Sequence, residues 1–369
     1  MSNYIHQHKS WPNFQWKQEK LAPLLGQVRH RQGRLLGRME ALGFKLQTEA
    51  TLQMLTLDVL KSSEIEGEFL NPDQVRSSIA RRLGMDVAGL VPADRNVEGV
   101  VEMMLDATQN YKATITDERL FGWHAALFPT GRSGMRRIVV AAWRDNPKTD
   151  PMQVVSGAMG KERVHYQAPD AELLNDEMNA FIKWFNNENP TDSVIKAAIA
   201  HLWFVTIHPF DDGNGRVARA IADMQLARSD GNNQRFYSMS AQIRKERNAY
   251  YAILEETQKN GLDITAWLDW FLGCLDRALM ATDETLAVVM QKATFWEKYS
   301  SVSFNARQTV MLNKLLDGFD GKLTSSKWAK IAKCSSDTAI RDINDLVQKG
   351  ILIKEPGGGR STTYILKKD

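Results

Sequence analysis

HPFDDGNGRVAR, residues 208–219, sits between the apolar run AAIAHLWFVT (197–206) and a helix predicted from Arg216 onward. Pro209 opens a turn, and Asp212 to Gly215 sets two glycines around Asn214, so the backbone can turn sharply and present N–H groups. That loop feeds a helix N-terminus, where unpaired N–H groups and the macrodipole favour an anion such as phosphate. Arg216 and Arg219 lie one turn apart, spaced to fork onto phosphate oxygens. Asp212 is a hard oxygen ligand at the mouth of this anion site, which suits Mg²⁺ carried on phosphates. His208 stands just before the turn, where an imidazole of pKa about 6.5 can take a proton from an attacking hydroxyl. Taken singly, each feature has an ordinary packing or solvent role. Packing alone does not require this order of residue types.

Outward from that loop, helical periodicity dominates. Helices are predicted over 96–111, 117–127, 171–187, 192–206, 216–228, 244–260 and 264–291. Two β-prone pieces interrupt them, Arg137 to Trp143 and Arg163 to Gln167, and are expected to pair as a hairpin. Residues 1–48 read as a small leading module with a helix near Leu21 to Leu42. From residue 300 the texture changes: KWAKI (327–331), a polar turn, a helix over 337–349 and strands at 351–354 and 362–366 around GGGR predict a winged helix-turn-helix. Arg341, Lys349, Lys354, Arg360, Lys367 and Lys368 make this tail basic, suited to a DNA or protein contact, while Asp337, Asp342 and Asp345 on its second helix count against DNA.

The 369 residues suffice for two or more domains. With 47 basic and 44 acidic residues the net charge is only +3, too mild to name nucleic acid as the partner of the whole chain. Cys274 and Cys334 stand alone, so neither a disulfide framework nor a cysteine zinc site is expected. No apolar run reaches the roughly 20 residues that span a bilayer, and the N-terminus lacks a signal-type apolar core. A cytoplasmic protein with no membrane contact is the expectation.

The twelve residues from His208 to Arg219 resemble the signature of the Fic family, His-Pro-Phe-x-Asp/Glu-Gly-Asn-Gly-Arg-x-x-Arg, with every fixed position met. The resemblance implies a mostly α fold: a Fic-type helical core with a small β-hairpin flap over residues 49–295, followed by the winged helix at 300–369. It implies an enzyme that moves AMP from ATP to a hydroxyl of a target protein and releases pyrophosphate. His208 would be the general base, Asp212 the Mg²⁺ ligand, Gly213, Asn214 and Gly215 the anion hole, and Arg216 and Arg219 the phosphate clamps. Val164, His165 and Tyr166 fall where the family places its target-holding flap. Tyr250, Tyr251 and Gln258 resemble the adenine-side residues.

A second motif lies upstream, in SSEIEGE (62–68). Leu52, Leu55, Val59, Ser62 and Glu66 recur at helical spacing, so an inward stripe ends in a carboxylate, which is costly to bury without a cation. Ser62, Glu66 and Gly67 resemble the inhibitory motif of autoinhibited Fic proteins, on an inhibitory helix near 51–67, and imply Arg219 as that cation. Breaking a buried pair of this kind costs about 3–5 kcal/mol, enough to hold activity down by two to three powers of ten. A homo-oligomer that buries the Glu66 helix would be one control on release. Two rival readings stay open on sequence alone: the reverse hydrolysis of AMP-modified protein on the same site, and a nucleotide-responsive DNA-binding regulator.

Overall fold

The structure is a computed structural model that describes residues 4–40, 44–85, 90–157, 160–188, 190–316, 318–319, 321–355 and 362–367. Contacts divide the chain into two compact units, 1–85 with 91–282, and 86–90 with 283–369. Both are mostly helical, with short antiparallel hairpins.

In the first unit, α1 (Gln18–Glu40) and α2 (Phe44–Ile65) are followed by α3 (Pro72–Arg82), α4 (Arg95–Gln109) and α5 (Asp117–Leu127). After two hairpins come α6 (Leu174–Asn186), α7 (Ser193–Ile207), α8 (Asn214–Asp230), α9 (Met239–Lys245) and α10 (Arg247–Lys259). The long α11 (Thr265–Lys298) belongs to this unit as far as Thr282. The centre is α7, buried at every position from Val194 to Ile207 because its sequence offers no polar face. Its most extensive packing is against α8, so the loop 208–213 that joins them hangs from the two best-anchored helices. Side chains of Asp94, Thr116, Asp192 and Ser238 cap the N-termini of α4, α5, α7 and α9, accepting from Val97, Arg119, Val194 and Ala241 N–H groups. Gly99 lets α4 lie directly on α5: a Cβ there would overlap the carbonyl group of Ala126. On α2, Leu52, Leu55, Val59 and Ser62 are buried as the stripe predicts, but its last member, Glu66, lies just past the end of the helix and is exposed, so it is not the buried carboxylate the spacing implies. The helix ends where Gly67 turns left-handed, at φ +87°.

The hairpins differ from expectation. Strand β1 (Arg132–Ser133) pairs with β2 (Arg136–Arg137), and β3 (Gln153–Ser156) with β4 (Arg163–Gln167). The predicted pairing of Arg137 to Trp143 with Arg163 to Gln167 is therefore wrong. The 138–144 stretch cannot serve as a regular ladder strand: Ala141 is left-handed at φ 57°, and the Val139 and Arg144 N–H groups donate to the Asp211 carboxylate and Pro209 carbonyl. The helix predicted over 244–260 is broken at Glu246 into α9 and α10. Helix α3 lies in a stretch for which no element is predicted; Asn71 caps it and Val75 and Ile79 bury its inner face.

In the second unit, α12 (Ala306–Leu316), α13 (Ser325–Ile331) and α14 (Ser336–Gln348) precede an antiparallel hairpin, β5 (Leu352–Lys354) with β6 (Tyr364–Leu366). Met311, Leu312, Trp328, Ile343, Leu346 and Leu352 form its core. Leu323 bridges to Tyr364 as a third short antiparallel contact. The GGGR stretch, with Arg360, and Lys368 lie outside the described residues. Among the described residues, no helix is long and apolar enough to cross a membrane.

Candidate active site

His208 is the C-cap of α7 and sits in the left-handed region at φ 53°, ψ 56°, a conformation uncommon for a residue with a Cβ. It is held there from outside the motif. The Arg144 guanidinium donates to the His208 carbonyl at 2.8 Å through Nε and to the Pro169 carbonyl at 2.6 Å through Nη2. The His208 ring donates from Nδ1 to the Val205 carbonyl at 3.2 Å, which leaves Nε2 as the free acceptor. Burial pushes its pKa down to about 4, against the opposing pull of that carbonyl, so the imidazole is neutral near pH 7.

The turn that follows is locked by its own side chain. Asn214 accepts from the Phe210 N–H at 3.0 Å and donates to the Phe210 carbonyl at 2.7 Å. Gly213 is at φ +82°, with Phe128 and Leu127 against the place a Cβ would occupy. His124, stacked on Phe210 with centroids 4.1 Å apart, donates from Nε2 to the Asp212 carbonyl and accepts the Ala141 N–H on Nδ1. The Asp212 carboxylate takes the Ser133 hydroxyl and the Gly213 N–H.

Both arginines are buried, with side chains 3% and 1% exposed for Arg216 and Arg219. Each meets a carboxylate from the end of α2. Arg219 Nη2 lies 2.8 Å from Glu66 Oε1, while Nε and Nη2 also donate to the Ser62 hydroxyl and carbonyl at 3.0 and 2.9 Å. Burial disfavours the charged guanidinium, but the Glu66 charge overcomes this and lifts the Arg219 pKa above its ordinary value. Arg216 Nη1 donates to Glu68 Oε2 at 2.6 Å. A Cβ on Gly215 would collide with Glu66 Oε1, so that carboxylate lies directly on the Gly215 backbone at the start of α8. Arg219 Nη1 and Arg216 Nε are buried without a hydrogen-bond partner among the described residues. These two donors suit a polyanion richer in oxygens than two carboxylates.

The remaining expected residues are more scattered. Tyr166 is buried and donates to the Thr206 carbonyl at 2.8 Å, two residues before His208. Val164 is exposed, and His165 is clamped between Glu255 (2.6 Å) and Ser156 (2.5 Å). Tyr250 is buried with its hydroxyl on His201 Nε2, and Gln258 is buried on Thr206 Oγ1, so neither presents its side chain openly. Tyr251 is the exposed member of that set, 3.4 Å from Glu66 Oε2 through its hydroxyl and covered on its ring by Arg247.

Arg144, His124, Ser133 and Glu68 escape the sequence reading. For the first three no local signal exists, because they reach the loop only through the fold. Glu68 carried one: a glycine between two acidic residues at a helix end.

Residues 114–226 match the Fic/DOC family, and residues 4–85 match a domain of unknown function (DUF4172). Over 115 residues the chain is 33% identical to a protein adenylyltransferase Fic of Nematostella vectensis, covering 31% of this chain and 25% of that one. Over 228 residues it is 25% identical to a protein adenylyltransferase Fic of Aedes aegypti, covering 60% of this chain and 40% of that one. The chain thus spans a quarter to two fifths of the length of these curated relatives. A crystal structure of a Fic family protein from Desulfovibrio desulfuricans G20 shares the fold, with TM-score 0.52 at 19% identity, over 94% of this chain and 97% of its own. Fold and loop together define a Fic-type helical core. The Fic/DOC match itself is confined to residues 114–226, which contain the loop and the start of α8.

Proposed function

We propose that this protein is an adenylyltransferase that moves AMP from ATP to a Ser, Thr or Tyr hydroxyl of a target protein, and that it rests in an inhibited state. One observation carries the reading: a neutral histidine with a free Nε2 precedes a backbone cradle whose two buried arginines are held by carboxylates where phosphates would bind. The adenylyltransferase relatives support the reaction class.

In the proposed reaction the hydroxyl oxygen attacks the α-phosphorus and its proton passes to His208 Nε2. The bond from the α-phosphorus to the bridging oxygen breaks, and pyrophosphate leaves with that electron pair. Gly213 to Gly215 and the two arginines would hold phosphate oxygens, supplying position and charge stabilisation. Asp212 is the residue suited to Mg²⁺. Mg²⁺ bound there would neutralise phosphate charge. Tyr251 is placed to meet the nucleoside end, with Tyr250 and Gln258 supporting from beneath. The β3–β4 hairpin would hold the target segment. While Glu66 occupies Arg219, that guanidinium cannot serve a phosphate.

The test uses ATP labelled at the α- or γ-phosphate, Mg²⁺, cell lysate as target source, and wild type, Glu66→Gly and His208→Ala. Strong α-label on protein with Glu66→Gly, faint label with wild type and none with His208→Ala is expected. Transfer of γ-label alone would make the site a kinase. No transfer, with release of AMP from modified protein instead, would make it a hydrolase.

A winged-helix role for the second unit is the accompanying proposal. Supporting DNA contact, Asp342 is paired with Arg307 at 2.7 Å and Asp345 with Lys349 at 2.6 Å, so two of the three acids on α14 are internally neutralised. Retardation of duplex DNA that weakens steeply with salt would bear this out.

A further inference from the structure

Glu66 is not alone at the end of α2. Glu66 and Glu68 are two residues apart, and on a continuous helix their side chains would point to nearly opposite sides. The left-handed turn at Gly67 breaks that geometry and turns both carboxylates toward α8. Glu66 then lies 2.8 Å from Arg219, and Glu68 lies 2.6 Å from Arg216. Arg216 has no other hydrogen-bond acceptor among the described residues, its Nε being left unpaired and its face lying over the Phe128 ring at 5.1 Å. A guanidinium so buried is costly without a counter-charge, and Glu68 is the group that supplies one.

We propose that Glu68 is a second, independent determinant of nucleotide affinity: its carboxylate occupies Arg216 as Glu66 occupies Arg219, so the resting site is closed at both clamps. This rests on the reading of the site as a triphosphate cradle, and it assigns Arg216 a competitor of its own. The two competitors differ in character. The Glu68 side chain is 48% exposed and that of Glu66 31%. Glu68 therefore binds against stronger solvent competition, and its removal produces the smaller effect. Removing Glu66 alone leaves a negative charge on the first clamp, and the nucleotide must still displace it.

The test is a two-by-two set of full-length proteins, each in a His208→Ala background to prevent turnover: Glu66 or Glu66→Gly combined with Glu68 or Glu68→Gln. Binding of Mg²⁺-ATP and of adenosine is measured by calorimetry. Glu66→Gly should bind ATP more tightly than the parent, and adding Glu68→Gln should tighten ATP a further three- to tenfold while leaving adenosine unchanged. Equal ATP affinity for Glu66→Gly with and without Glu68→Gln would overturn the proposal while the cradle reading stands. Equal gains for ATP and adenosine would also overturn it, since the effect would then not act through a phosphate clamp. Failure of all four proteins to bind ATP would remove the cradle reading, and this proposal with it. Glu68→Asp supplies the converse check: a carboxylate one methylene shorter should restore part of the inhibition.

Discussion

Arg144 holds the carbonyl of His208 at 2.8 Å from a position 64 residues earlier in the chain, and its own backbone N–H holds the carbonyl of Pro209 at 2.9 Å. Arg144 is 2% exposed, and burial lowers its pKa to about 10. Arg144 touches no reacting atom in this arrangement. It holds the left-handed backbone that carries the imidazole, and in the proposed reaction it would act as a positioning residue.

Arg144→Gln should therefore lower the rate of AMP transfer in a Glu66→Gly background at least tenfold, with ATP affinity changed less than threefold. It should also cost about 2–4 kcal/mol of stability, because buried carbonyls lose charge-assisted donors. Transfer kinetics and urea unfolding separate the two effects. A loss confined to ATP affinity would contradict the positioning role.

Packing between α4 and α5 tolerates nothing at position 99. Gly99→Ala should destabilise the first unit by about 3 kcal/mol, at the upper end of overpacking costs, because the obstacle is the backbone of Ala126 and not a mobile side chain. Because α5 leads into Phe128, which lies against Gly213, ATP binding should weaken as well. A denaturation midpoint unchanged from wild type would show that the helices can separate freely.

His201 lies beneath the site, 1% exposed, with Nε2 on the Tyr250 hydroxyl. Burial and the nearby Arg219 charge lower its pKa to about 3. Its unfolded value is about 6.5, so the unfolded chain takes the proton first as pH falls. The stability owed to neutral His201 is complete above pH 6.5 and is lost as pH falls toward 3. The stability advantage of wild type over His201→Gln should accordingly shrink below pH 6.5, by about 1.4 kcal/mol per pH unit. Parallel unfolding curves from pH 7.5 to 4.5 check the sign; an advantage that grows with acid would reverse it.

The flap offers a prediction that is independent of catalysis. Glu255 on α10 receives Arg163 and His165 of β4 and Lys259 of its own helix, at 2.6 to 2.7 Å. Burial alone would raise its pKa, but the Lys259, His165 and Arg163 contacts overcome this and bring it to about 2. Glu255→Gln should speed amide exchange in residues 153–156 and 163–167 several-fold without shifting global unfolding. Unchanged exchange would mean that the backbone ladder and Tyr166 hold the hairpin unaided.

The sequence was most legible where chemistry is contiguous. The helix, turn and helix start over residues 208–219 follow from the order of their residue types, and the burial of Leu52, Leu55, Val59 and Ser62 follows from spacing alone. The helices that bury an apolar face, such as α5 and α7, were found nearly to the residue. What escaped depends on contacts between distant segments. Arg144 and Ser133 look like surface residues of a basic loop until the fold brings them to His208 and Asp212. The hairpin was mispaired for a related reason. Residues 137–143 carry strand-forming side chains, but Asp211 and His124 claim two of their N–H groups, while QVVS at 153–156 is too short to stand out.

The pairing of Glu66 and Glu68 with two buried arginines has a consequence for how the cradle is made. A phosphate site without its ligand ordinarily leaves cations facing one another, and such sites tend to loosen or fill with solvent. On the proposed reading the polypeptide brings a counterfeit of the ligand, two carboxylates set on the same two guanidinium groups. The start of α8 would then fold to its working shape before any nucleotide arrived, and displacement of the counterfeit would expose a template already formed.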